Sequence, residues 1–124
     1  MSKVLVVEDN KLNLKLFVDL LSLIDCEIIS TRSGKNALEL CAKNKPDLIL
    51  MDIQLDGVSG IDIIKNIKEN ETLNKIPVVA ISAYAMKNEE LKIIESGCDM
   101  YLSKPISIED FLSTVKFYLG EVIV

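Results

Sequence analysis

Three runs of this chain, Val4-Leu5-Val6-Val7, Leu48-Ile49-Leu50-Met51 and Val78-Val79-Ala80-Ile81, are apolar at every position. A strand with one face in water alternates apolar and polar residues, so uninterrupted runs of this length fit strands covered on both faces. Two weaker runs, Glu27 to Ser30 or Thr31 and Met100-Tyr101-Leu102, complete a set of five, the first of them mixed enough to suit a sheet edge. Stretches with apolar residues at spacings of three and four separate and follow them. Leu12, Leu16, Phe17, Leu20, Leu21 and Ile24 form one such stripe behind the capping residue Asn10. Ala37, Leu38, Cys41 and Ala42 mark a second helix, ending before Pro46, and Ile61, Ile63, Ile64 and Ile67 a third. Roughly Lys87 to Ser96 forms a fourth, with Leu91 and Ile94 inward and Gly97 as its cap, and a fifth starts at Ser107 and turns Phe111, Leu112, Val115 and Leu119 inward. Strict alternation of strand and helix predicts an α/β fold: a doubly wound, five-stranded parallel sheet with five helices, a flavodoxin-like three-layer sandwich of strand order 2-1-3-4-5.

Composition removes several function classes. The 124 residues carry a net charge of −5, which disfavours a nucleic-acid surface, because phosphates are bound by clustered Lys and Arg. The chain has no histidine, which excludes imidazole metal sites, Ser-His or Cys-His catalysis and a histidine phosphocarrier. Cys26, Cys41 and Cys98 are odd in number and scattered in apolar surroundings, so they read as small core residues. No apolar run approaches the ~18 residues of a membrane span, and Val4 to Val7 is too short for a signal peptide, so no membrane insertion and a cytoplasmic location are expected.

Polar residues cluster where the predicted strands end. Glu8 and Asp9 follow the first, Asp52 ends the third, Ser82 the fourth and Lys104 the fifth. In a doubly wound sheet these positions converge on the crevice outside the carboxyl ends of the strands. Taken singly, Asp52 suits a turn or helix cap, and Ser82 and Lys104 suit a cap or a surface position. Taken together, three carboxylates repel one another unless a cation sits among them, and Mg²⁺ accepts oxygen ligands of this kind. A carboxylate nucleophile, a hydroxyl donor, an ammonium and Mg²⁺ are also what phosphoryl transfer to an aspartate requires. A phosphohydrolase of the haloacid-dehalogenase kind would carry a second acid two residues after the nucleophile, where this chain has Gln54.

The motifs Val4-Leu5-Val6-Val7-Glu8-Asp9-Asn10, Asp47-Leu48-Ile49-Leu50-Met51-Asp52 and Tyr101-Leu102-Ser103-Lys104-Pro105 make the chain resemble, over its whole length, the CheY-like receiver domains of two-component response regulators. Within that family it is most similar to a stand-alone regulator of cell cycle and polarity. The resemblance implies phosphorylation of Asp52 by a sensor histidine kinase or phosphotransfer protein. It further implies Mg²⁺ held by Glu8, Asp9, Asp52 and the backbone carbonyl of Gln54, a switch formed by Ser82 and Tyr101, and Lys104 on the phosphoryl group before a cis bond to Pro105. Asp56 replaces the family's usual proline, Ser82 stands where threonine is commoner, and Tyr84 occupies a position that tunes hydrolytic water, which implies slow self-dephosphorylation.

Composition leaves a second reading of Tyr101 open: a half-buried strand aromatic with its hydroxyl in water. If the switch reading holds, the loop from Ser82 to Met86 closes on phosphorylation and the face around Tyr101 meets a downstream protein. No residues follow Val124 to form an output domain, so residues 1–124 are expected to act as one receiver that signals through other proteins. The protein is then no enzyme beyond its own phosphoryl transfer and dephosphorylation, and a monomer or transient dimer joined through Val122-Ile123-Val124. The alternative is a phosphate sink that drains a phosphorelay without a dedicated partner.

Overall fold

The structure is a computed structural model and describes residues 1–55, 57–83 and 87–120. In chain order its elements are β1 (Ser2–Val7), α1 (Lys11–Leu21), β2 (Cys26–Thr31), a 3-10 turn (Gly34–Asn36), α2 (Ala37–Asn44) and β3 (Leu48–Asp52). Then come β4 (Gln54–Leu55), β5 (Val58–Ser59), α3 (Gly60–Glu69), β6 (Val78–Ser82), α4 (Lys87–Glu95), β7 (Met100–Ser103) and α5 (Ile108–Leu119). The main sheet has the order β2-β1-β3-β6-β7 with every pairing parallel. That is the expected 2-1-3-4-5 arrangement, with the mixed strand β2 at an edge. The short antiparallel pair β4 and β5, in which Gln54 faces Ser59 and Leu55 faces Val58, was not foreseen, because two-residue strands carry no periodicity.

The all-apolar runs are buried on both faces, and the side-chain alternation of a strand sorts them into two cores. Leu5, Val7, Ile49, Met51, Val78 and Ala80 meet Ala37 and Cys41 of α2, Ile63, Ile64 and Ile67 of α3 and Ile93 of α4. Val4, Val6, Leu48, Leu50, Val79 and Ile81 meet Phe17, Leu20 and Leu21 of α1 and Phe111 and Val115 of α5. Phe17 and Phe111 stack with ring centroids 5.3 Å apart and planes at 7°, which fixes α1 against α5. Cys41 is fully buried, and burial pushes its thiol up to about 11, so it stays protonated and inert; Cys26 and Cys98 are half-buried, and none of the three is in a disulfide.

Capping follows the sequence. Asn10 accepts from the Asn13 N–H at 3.0 Å, and Ser107 accepts from the Asp110 N–H at 3.1 Å. Gly97, just past α4, has φ of 93°, a region glycine enters freely.

Two helical stripes need correction. In α1 the buried line runs through Leu14, Phe17, Leu21 and Ile24, at spacings of three, four and three, so Leu12 and Leu16 fall on its outer flank and are exposed. In α4 Leu91 and Ile94 are exposed and Ile93 is fully buried. Leu91 and Ile94 share a face, Ile93 projects away from it, and the sheet accepts that one β-branched side chain.

These placements separate core from flank experimentally. Phe111→Ala is expected to lower the unfolding free energy by about 3–5 kcal/mol through cavity formation. Leu12→Ala should change it by about 0.5 kcal/mol or less in the same urea titration.

Candidate functional site

Strand register brings the polar residues together. Val7 pairs with Met51, Asp52 with Ile81 and Ser82 with Ser103, so Glu8, Asp52, Ser82 and Lys104 stand within one residue of a common level at the carboxyl edge of the sheet. Glu8 is 0% exposed, Asp52 2% and Ser82 1%, so each was withdrawn from water by the folding of the sheet. The backbone closes the edge: Lys104 N–H donates to the Ser82 carbonyl at 2.7 Å, Ile53 N–H to the Ile81 carbonyl at 2.9 Å and Glu8 N–H to the Thr31 carbonyl at 3.1 Å.

The Lys104 ammonium lies between two buried carboxylates. Its Nζ donates to Glu8 Oε1 at 3.0 Å and to Asp52 Oδ2 at 3.3 Å. The remaining oxygens are held by the main chain, Glu8 Oε2 by Asn10 N–H at 3.2 Å and Asp52 Oδ1 by Gln54 N–H at 3.0 Å. Asp9 joins them, and Glu8, Asp9 and Asp52 each offer an oxygen within 4.8 Å of the others. The Arg32 Nε donates to the Asp9 carbonyl at 3.1 Å and steadies that turn. Three carboxylates against one ammonium leave the site short of positive charge, which is the electrostatic demand a hard cation meets.

Burial and the close packing of charges both mark the ionisation of the groups. Burial, followed by the neighbouring Asp52, pushes the Glu8 carboxyl up to about 7, against the opposing hydrogen bond from Lys104. Burial alone would lower the Lys104 ammonium, but the hydrogen bond to Glu8 and the charges of Asp52 and Glu8 outweigh it and hold Lys104 above its ordinary value.

Gly60, at the start of α3, fixes the position of the central carboxylate. Its N–H donates to the Ile53 carbonyl at 3.0 Å, and a Cβ at this position would lie 2.3 Å from the Asp52 carbonyl oxygen and 2.7 Å from the Ile53 Cα. Glycine is therefore a requirement of close approach between the helix start and the end of β3. Asp56-Gly57, shortly before it, is a turn signal in the sequence, but nothing there distinguishes a glycine needed for space from one needed for a turn.

The Lys104–Pro105 bond is cis, as the resemblance implied. Tyr101 is half-buried against the α2–α4 side of the sheet, and its hydroxyl donates to Glu90 of α4. Tyr101 is thus a half-buried strand aromatic whose hydroxyl, at the surface, has Glu90 as a partner; sequence reasoning missed Glu90, because nothing but the fold brings α4 beside β7. Gln54 is placed next to Asp52 through its N–H. Asp56, Tyr84, the loop stretch from Tyr84 to Met86 and the terminal Val122-Ile123-Val124 lie outside the described residues.

A parallel sheet whose carboxyl edge carries an aspartate flanked by an acidic pair, a serine and a lysine defines the receiver class. The chain belongs to the response regulator receiver domain family, whose model matches residues 4–116. It is similar to the polar-differentiation response regulator DivK of Brucella ovis, with 52% identity over 118 residues covering 95% of this chain and 96% of the relative. Two solved structures share the fold. The receiver domain of the sensor histidine kinase PA1611 of Pseudomonas aeruginosa, with a magnesium ion coordinated in its active site cleft, has a TM-score of 0.88 and 23% identity, covering 97% of this chain and 98% of that one. The Mn(2+)-bound form of the response regulator Rcp1 has a TM-score of 0.82 and 28% identity, covering 100% of this chain and 99% of that one. Among the described residues no helix is long and apolar enough to cross a membrane.

Two outcomes test this geometry. Because the folded Glu8 holds its proton more tightly than the unfolded carboxyl, its contribution to stability is complete below the ordinary value of 4.5 and is lost as pH rises through about 7. Thermal melts without divalent cations between about pH 5 and 8 should therefore show a decline that is shallower in Glu8→Gln. Gly60→Ala should displace the end of β3 and destabilise the fold, although helix propensity alone favours alanine by up to about 1 kcal/mol.

Proposed function

We propose that this protein is a stand-alone phosphorelay receiver, cytoplasmic, phosphorylated on Asp52 by a sensor histidine kinase or phosphotransfer protein, and that it signals by phosphorylation-dependent binding to another protein. The observation that carries this reading is the buried Asp52 carboxylate, held at the sheet edge between the Gln54 N–H and the Lys104 ammonium. The similarity to DivK over nearly the whole of both chains supports a role in polar differentiation or cell-cycle control.

The chemistry follows from the residues. A carboxylate oxygen of Asp52 attacks phosphorus in line; the new P–O bond forms as the bond to the donor's imidazole nitrogen breaks, and the imidazole takes the bonding pair. The Lys104 ammonium, already within 3.3 Å of Asp52, pairs with a phosphoryl oxygen and offsets the charge added to a buried site. Ser82 donates its hydroxyl to the same group from the neighbouring strand.

The donor set of Glu8, Asp9 and Asp52 fits a divalent cation of the Mg²⁺ kind, with the Gln54 carbonyl as the fourth protein ligand. When bound, Mg²⁺ would supply charge neutralisation on the phosphoryl oxygens. The manganese-bound state of Rcp1, a structural neighbour, supports this assignment.

After transfer, Ser82 turns toward the phosphoryl group and Tyr101 takes a more buried rotamer, so the surface around β7 changes for a protein partner. A carboxyl phosphate is a labile mixed anhydride, so the signal ends by attack of water on phosphorus.

Incubation with acetyl phosphate or phosphoramidate and Mg²⁺, read by intact mass, should give a single phosphoryl adduct on the wild type. The adduct should be absent in Asp52→Asn and in the presence of EDTA. An adduct of equal yield on Asp52→Asn would overturn the assignment of the acceptor.

A further inference from the structure

Helix α4 is held to the body of the protein by very little. Among its described side chains Ile93 alone is fully buried, and Leu91 and Ile94 face outward. Beside it, Tyr101 of β7 packs its half-buried ring against the core on the same side of the sheet and donates its hydroxyl to the carboxylate of Glu90. This bond spans two elements that strand pairing does not connect, and it also pushes the Tyr101 phenol above its ordinary value.

Glu90 has an ordinary task too. It lies with Glu89 in the first turn of α4, where a carboxylate interacts favourably with the helix dipole. The dipole requires a negative charge at either residue. The bond to Tyr101 requires an acceptor oxygen at residue 90 only, so the two roles respond differently to substitution.

We infer that Glu90 is a positioning residue for the switch: by accepting the Tyr101 hydroxyl it latches the ring against α4 in the resting protein and opposes the buried rotamer. The inference rests on the reading of Asp52 and Tyr101 given above. Burying the ring requires the hydroxyl to leave Glu90, so the free energy of this bond is set against phosphorylation. Charge-assisted hydrogen bonds are among the stronger ones, and although water reaches this hydroxyl the bond is able to shift a two-state equilibrium a few-fold. Leu91, in the same helix, is carried along when the latch opens, which couples the rotamer of one tyrosine to the exposed apolar face of α4.

The test has two arms, each using the whole chain. In the unphosphorylated protein, side-chain NMR reads the Tyr101 rotamer in wild type, Glu90→Ala and Glu90→Gln. Glu90→Ala should populate a second ring orientation. Glu90→Gln, which keeps an acceptor oxygen and loses the charge, should fall between the two.

In the second arm, the acetyl phosphate concentration giving half-maximal Asp52 adduct is measured for the same variants, for Tyr101→Phe and for the double variant Glu90→Ala/Tyr101→Phe. Glu90→Ala should lower that concentration by about two- to fivefold. Tyr101→Phe should lower it by a similar factor, and the double variant should show no additional shift. The latch is overturned if the Tyr101 ring of Glu90→Ala keeps its wild-type orientation, or if Glu90→Ala produces its full shift in the Tyr101→Phe background. A wild type that forms no adduct sinks the phosphorylation reading instead, while the rotamer arm still decides on the latch.

Discussion

A single ammonium shared between two buried carboxylates is the interaction on which this structure turns. Lys104 reaches Glu8 at 3.0 Å and Asp52 at 3.3 Å, with both acids almost wholly removed from water. Burying an unpaired charge is costly, so the arrangement persists only because β1, β3 and β7 deliver these groups to one place and the main chain satisfies the oxygens that Lys104 does not reach. It is nevertheless incomplete. With Asp9 beside them, the acids outnumber the cation, and burial together with the neighbouring Asp52 makes Glu8 hold its proton more tightly than a free carboxyl does. A site of this kind favours added positive charge, and in the function proposed above it accepts a phosphoryl group together with a cation.

The scaffold explains why such an imbalance is tolerated. Parallel strands buried on both faces supply two independent cores, one under α1 and α5 and one under α2, α3 and α4. Their register is set by apolar residues well behind the acidic edge. The polar edge therefore adds function to a sheet already specified by packing. Gly60 is the point where the two meet, since the start of α3 approaches the Asp52 carbonyl too closely for any side chain.

Much of this was legible in the sequence because its signals are local. The apolar runs of β1, β3 and β6 gave the sheet, and the polar residues immediately after them gave Glu8, Asp9, Asp52, Ser82 and Lys104, since a strand end has a fixed place in a doubly wound fold. Caps at Asn10 and Ser107 were equally plain. What escaped was decided by tertiary contact. Leu91 and Ile94 have the spacing of a buried stripe, yet α4 turns Ile93 inward, and only the packing of the helix on the sheet decides which of these residues is covered. Leu12 and Leu16 were misplaced for a related reason: several overlapping stripes fit α1, and Phe17 stacking on Phe111 selects one. The acceptor for the Tyr101 hydroxyl could not be read at all, since Glu90 reaches it across a fold contact that leaves no trace in spacing.

The account stands or falls on whether the acidic edge is a cation site that includes Asp52. The direct measurement is calorimetric titration of the purified chain with Mg²⁺ in wild type, Asp9→Asn and Asp52→Asn. One Mg²⁺ per chain in the wild type, weakened at least tenfold in both variants, is the result the account predicts, a change of about 1.4 kcal/mol or more. Binding of the same strength in all three proteins, or none in the wild type at millimolar concentration, would contradict it.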